Sequence, residues 1–168
     1  MNVSKAVELA MAETIRKYAK MGAAVTVRAW QSLEADGSWK ENTDRSFPMV
    51  DVRCSPPQGD DNQSTLQVQC AILFGTKVDD DKSHAFIAAM YEAGQGMCDN
   101  LFSQFRSGTY DGDEIKFFLD KVDEALESES VDFKFGGFTF GEGLSPSDDS
   151  GVNMIGITLI VHYGRSDF

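Results

Sequence analysis

Apolar side chains recur along this chain with two periods, and the points where one period gives way to the other outline the elements. From Leu66 to Phe74 the even positions Leu66, Val68, Cys70, Ile72 and Phe74 are all apolar, while Gln67 and Gln69 alternate with them, the pattern of a half-buried strand. Gly75 ends the run. Asp79, Asp80 and Asp81 follow, offering carboxylates to the unpaired N–H groups of a helix start. Phe86, Met90, Ala93, Met97, Leu101 and Phe105 then recur every three or four residues and predict a long helix packed on that strand.

The flanking segments follow the same logic. Ser4 stands where a helix cap would, before Val7, Ala10, Met11, Ile15 and Tyr18 on one helical face, with Gly22 placed to stop the helix. The segment from Ala24 to Trp30 has strand character, and Asp36-Gly37 marks a hairpin tip before Trp39. Pro48 opens a second strand in which Val50, Val52 and Cys54 alternate with Asp51 and Arg53. Residues 55–64, rich in breakers and charge, form an exposed loop joining two strands that should pair. Beyond the central helix, Asp113 and Glu114 lead into a shorter helix carrying Ile115, Phe118, Leu119, Val122, Ala125 and Leu126. Val131, Phe133, Phe135 and Phe138 or Phe140 make a strand bent at Gly136-Gly137. Residues 141–151 form a second exposed acidic loop, and Val152 to Tyr163 a last strand. Strands that come in runs predict an α+β fold, a mixed or antiparallel sheet of about five strands with helices packed on one face. Residues 1–168 make one domain.

Composition narrows the partners. A formal net charge of −12 and a pI near 4.4 disfavour wrapping a nucleic acid, whose phosphates draw affinity from Lys and Arg. Such acidity keeps a protein soluble, or lines a passage through which a polyanion must slide. Cys54, Cys70 and Cys98 lack metal-ligand spacing and read as reduced core residues. The first residues lack the apolar run of a secretion signal and no segment is long enough to span a bilayer, so a cytoplasmic fold and no membrane partner are expected.

Catalytic patterns are missing. His84 and His162 are the only neutral-pH bases, and neither belongs to a nucleophile signature. Asp81 and His84 at a helix start admit a metal or a proton relay as well as a plain surface reading. The Asp79–Asp81 run lacks the alternating ligands, central Gly and closing Glu of a calcium loop, so capping accounts for it. No cofactor, metal or catalytic residue is expected. Gly94 and Gly96 inside the central helix, each costing about 1 kcal/mol relative to Ala, call for a kink or a closely approaching neighbour, within the subunit or from another. For contact surfaces the candidates are Trp30 and Trp39 beside the hairpin, Asp60, Asp61, Asp148 and Asp149 in the two loops, and Phe168 at the end. Trp30 packed on the first helix is the alternative for that residue.

The element order resembles the tail-terminator and tail-completion proteins of long-tailed bacteriophages. The opening helix from Lys5 to Lys20, the hairpin-bearing strand from Ala24 to Trp39, the Pro48-led strand, the strand and helix from Leu66 to Phe105, and the closing strand through His162 and Tyr163 carry the likeness. It implies a non-enzymatic structural virion protein, made in the host cytoplasm. Such a protein forms a ring homo-oligomer, commonly a hexamer, that ends the tail tube and meets tube protein on one side and head-tail connector on the other. DNA would only pass through its lumen. The helix from Asp113 to Leu126 and the loop 141–151 depart from a minimal version and leave a neck or minor tail protein open. A small-ligand-binding or enzymatic α+β domain, with a cavity between sheet and central helix using Asp81, His84 or His162, is the alternative from another class.

Overall fold

The chain is seen as a computed structural model that describes residues 2–22, 25–42, 46–59, 65–77, 83–127, 133–149 and 152–164, with the backbone alone for residues 2, 83, 84 and 144–149. Its elements in order are α1 (Asn2–Tyr18), β1 (Thr26–Ala29), β2 (Gln31–Leu33), β3 (Trp39–Glu41), β4 (Met49–Cys54), β5 (Thr65–Lys77), α2 (Ser83–Ser107), α3 (Asp113–Leu126), β6 (Lys134–Phe140), β7 (Leu144–Asp149) and β8 (Val152–Gly164). The fold is α+β. Five strands lie side by side in the order β1-β4-β5-β8-β6, β1 parallel to β4 and the remaining neighbours antiparallel, so the sheet is mixed.

Alternation decides which face is covered. Val68, Cys70, Ile72 and Phe74 of β5 are wholly buried, as are Val50 and Val52 of β4 and Leu159 and Val161 of β8. They meet Val7, Met11 and Ile15 of α1, Met90, Cys98 and Leu101 of α2, and Phe118 and Val122 of α3 in one core. All three helices therefore pack on the same side of the sheet. The central strand and long helix expected from the sequence form as a unit, at the centre of that core.

Local chemistry differs from expectation at several points. Ser4 does not cap α1, which already begins at Asn2; its hydroxyl donates instead to the Ser55 carbonyl at 2.6 Å and pins the helix to the end of β4. Phe86 turns outward, and Ile87 takes the core position one residue on. Gly94 is explained within the subunit: the Phe74 ring occupies the space that a Cβ would need. Gly96, on the outer face, has nothing near it, and the helix runs through both glycines unbroken. Gln104 of α2 caps α3 from outside, its Oε1 accepting from the Ile115 N–H at 2.9 Å.

The bend at Gly136-Gly137 is present as a bulge opposite His162, with Gly137 at φ +129°. The expected loop over 141–151 is the main correction, because residues 144–149 form β7. The 13-residue β8 pairs one whole edge with β5 and divides the other, Leu159–Gly164 going to β6 and Val152–Gly156 to β7. Breakers that read as a loop are tolerated there because this is an edge. Pro146 lies where the register shifts between Leu144 and Ser147, and a proline at a bulge removes no ladder bond. Residues 55–59 of the other expected loop are partly tied down, Gln58 and Gln67 exchanging backbone hydrogen bonds of 2.8 and 2.9 Å; residues 60–64 lie outside the described residues.

Candidate interaction surface

On the side away from the helices, among the described residues, neither helix nor strand covers the sheet. The odd positions of β5 and the even positions of β8 lie there. Gln69 is exposed, and Gln67, Ala71, Leu73, Met154, Thr158, Ile160 and His162 are half-buried. Small side chains dominate its centre, with Gly156 opposite Leu73 and Ala71 opposite Thr158. Phe47 covers one end, 3.0 Å from where a Cβ on Gly75 would sit. Beside the break between β6 and β7 the face dips into an open depression of about 740 Å³ lined by Gln69, Phe140, Gly141, Glu142, Thr158 and Ile160.

One corner of this face is ionic and aromatic. Asp51 on β4 is nearly buried and must therefore be paired; the Arg53 Nε lies 2.9 Å and the Arg28 Nε 3.5 Å from its carboxylate oxygens. Trp30 directly follows β1, and its backbone N–H donates to the Val52 carbonyl at 2.9 Å. The Arg53 guanidinium stacks 3.9 Å from the centroid of its ring, and that of Arg28 lies at 5.8 Å. Strand alternation puts Arg28, Trp30, Asp51 and Arg53 on one face, and the parallel register of Arg28 with Asp51 brings them together. Trp30 thus sits on the arginines and stays out of the core that α1 enters.

Trp39 lies elsewhere. It is half-buried against the core, with the Lys5 ammonium 5.8 Å from its ring centroid, so β2 and β3 fold back toward α1. Glu8 anchors that arrangement. Its two oxygens accept from the Gln31 and Cys54 N–H groups, each at 3.0 Å, tying the helix to the start of β2 and the end of β4. Burial raises its pKa to about 7 against the lowering effect of these two bonds; the Asp51 charge adds to the rise and that of Arg53 opposes it. Sequence reasoning missed Glu8. The available signal was an acid between Val7 and Met11, four residues from Ser4, inside an otherwise apolar stripe.

The remaining candidates scatter. Asp148 and Asp149 belong to the backbone of β7, opposite Asn153 and Val152. Asp60, Asp61, Phe168 and the Asp79–Asp81 run lie outside the described residues, as does the side chain of His84. His162 is on the uncovered face, its Nε2 2.9 Å from the Thr139 hydroxyl. The cavity considered between sheet and α2 is filled where Phe74 meets Gly94, and the depression found lies on the opposite side of the sheet. Among the described residues no three His, Cys, Asp or Glu side chains converge as metal ligands. No helix among them is long and apolar enough to cross a membrane.

No known protein family and no curated protein matches this sequence. Its function is therefore argued from the surface just described.

Proposed function

We propose that this chain is a non-enzymatic assembly protein of a tailed-phage particle, acting as a ring of identical subunits, in the manner of a hexameric tail terminator. The ring ends the tail tube and presents its other side to the head-tail connector, and DNA passes only through the lumen. The observation that carries this reading is the uncovered sheet face. A monomer that keeps its helices on one side leaves Leu73, Met154 and Ile160 half-exposed around a centre of small residues, a surface suited to another protein layer. The charged corner at Trp30 and Arg53 adds the residue types that dominate contact energies. A net charge of −12 fits a lumen that DNA must traverse without sticking. A neck or minor tail protein of the same particle would use the same surface.

The test is the mass of the purified chain in solution, together with electron microscopy after mixing with tail tube protein. Rings capping tube ends are expected. A chain that stays monomeric at every concentration and never joins tubes would sink the proposal.

A further inference from the structure

Two of the three cysteines face each other across the sheet. Cys54 on β4 stands directly opposite Cys70 on β5 in their antiparallel register, and both side chains lie on the core side of the strands. The Ser55 N–H donates to the Gln69 carbonyl at 2.9 Å, while the Cys54 N–H is directed to the Glu8 carboxylate at 3.0 Å. The cysteines therefore form a pair without hydrogen bonds between their own backbones, the kind in which facing Cα atoms come closest, about 4.5 Å apart. A disulfide spans Cα separations of about 4.4–6.8 Å, so little strand movement is needed to bridge them. Access favours the same pair. Cys70 and Cys98 are wholly buried, whereas Cys54 is half-buried. The facing thiols also act on each other directly: after burial, the Cys70 side chain is the strongest influence keeping the Cys54 thiol protonated, while Cys98 is affected by Cys70 through its charge alone.

We infer that Cys54 and Cys70 are a reversible modification site, closing a cross-strand disulfide that fastens the end of β4 to β5 under oxidising conditions and staying open as thiols in a reducing compartment. The co-reactant is a small-molecule disulfide such as oxidised glutathione. The Cys54 thiolate, its proton lost to solvent, attacks one sulfur of that molecule and forms a mixed disulfide as one glutathione thiolate leaves. The Cys70 thiolate then attacks the Cys54 Sγ and displaces the second glutathione. Two protein thiols are thereby oxidised to one disulfide, one small disulfide is reduced to two thiols, and the two protons end on the leaving thiolates. Burial keeps the Cys54 thiol protonated near neutral pH, so closure is slow and is governed by time and redox poise. The bond would form where α1 is pinned, because Ser4 donates to the Ser55 carbonyl and Glu8 accepts from the Cys54 N–H. It joins two points flanking residues 55–69 and so takes freedom from the unfolded chain, which makes the oxidised form harder to unfold. None of this depends on whether copies assemble into rings.

Peptide mapping of the full chain tests it, after incubation of the folded protein at pH 8 for hours in buffers of reduced and oxidised glutathione, then unfolding, alkylation and digestion. Trypsin cuts after Arg53 and Lys77 and finds no site between, so Cys54 and Cys70 share the peptide 54–77, while Cys98 falls in the peptide 83–106. The oxidised sample should yield peptide 54–77 unlabelled and lighter by two hydrogens, with Cys98 fully labelled, and dithiothreitol should restore both missing labels. The linked chain should melt several degrees above the reduced one. Cys54→Ser should abolish the link and the gain, and Cys98→Ala should keep both; Cys54→Ala repeats the test should the serine variant fold poorly. Peptide 54–77 labelled twice in every buffer, a link from it to 83–106 in the folded chain, or a linked chain that melts no higher than the reduced one overturns the proposal.

Discussion

Glu8 puts a titratable group where α1 meets two strands, and its raised pKa sets the sign of a pH effect. The fold disfavours its carboxylate, so the neutral form's contribution is fully present below the unfolded value of 4.5 and is lost as pH rises through about 7. Denaturation of native protein and Glu8→Gln at pH 5 and pH 8 should show the native chain losing up to a few kcal/mol that the variant does not lose. An equal pH response in both would contradict the assignment. The cysteines make a second prediction at this scale. Burial pushes the Cys98 thiol up to about 12, and burial followed by the adjacent Cys70 pushes Cys54 well above its ordinary value. Native protein at pH 8 should therefore resist thiol alkylation, and denaturant should release all three to react. The sequence reading of all three as core residues holds for Cys70 and Cys98, while Cys54 is half-buried against the core. It did not foreshadow Glu8, whose partners are backbone groups 23 and 46 residues away.

Helices and strands were legible wherever one period ran long, and less so where an edge was involved. α3 spans Asp113 to Leu126 as expected, because its stripe has no competing signal. β7 was hidden. Glycine, proline and aspartate ordinarily mark a loop, and only pairing with the far half of β8 makes Leu144–Asp149 a strand. The two α2 glycines show the limit of local reasoning, since they look alike in sequence and differ in surroundings. Gly94→Ala would drive a methyl into the Phe74 ring, a clash costing about 1–3 kcal/mol that outweighs the helix-propensity gain, so its melting temperature should fall. Gly96→Ala meets open space and should raise stability by up to about 1 kcal/mol, or roughly 2–4 °C in a domain of this size. Calorimetry of the pair checks both signs, and a matching shift in the two variants would refute the packing explanation.

For the molecule as a whole, one sheet side is committed to the core and, among the described residues, no helix or strand covers the other. Ile160→Lys places a charge in the middle of the uncovered side, where a monomer tolerates it and a packed partner does not. Its melting temperature when dilute should stay within a few degrees of native, whereas its self-association should drop about tenfold or more. Loss of folding with no separate effect on association would argue that this side is interior to the monomer. The sequence singled out Trp30 as a candidate, and the structure places it on the uncovered side of the sheet and outside the core. It could not reveal that Arg28, Asp51 and Arg53 converge there, because that depends on the parallel register of two strands some twenty residues apart.

Both lateral margins of the sheet are blunted. On β1 the Val27 carbonyl is taken by Arg16 and the Ala29 carbonyl by Asn42, while the opposite margin is kinked at Gly137 and again around Pro146. Zipper-like extension by adding strands sideways is therefore disfavoured at these margins. Such margins work against open-ended growth of one copy's sheet onto the next, and so against the route by which edge strands seed fibres.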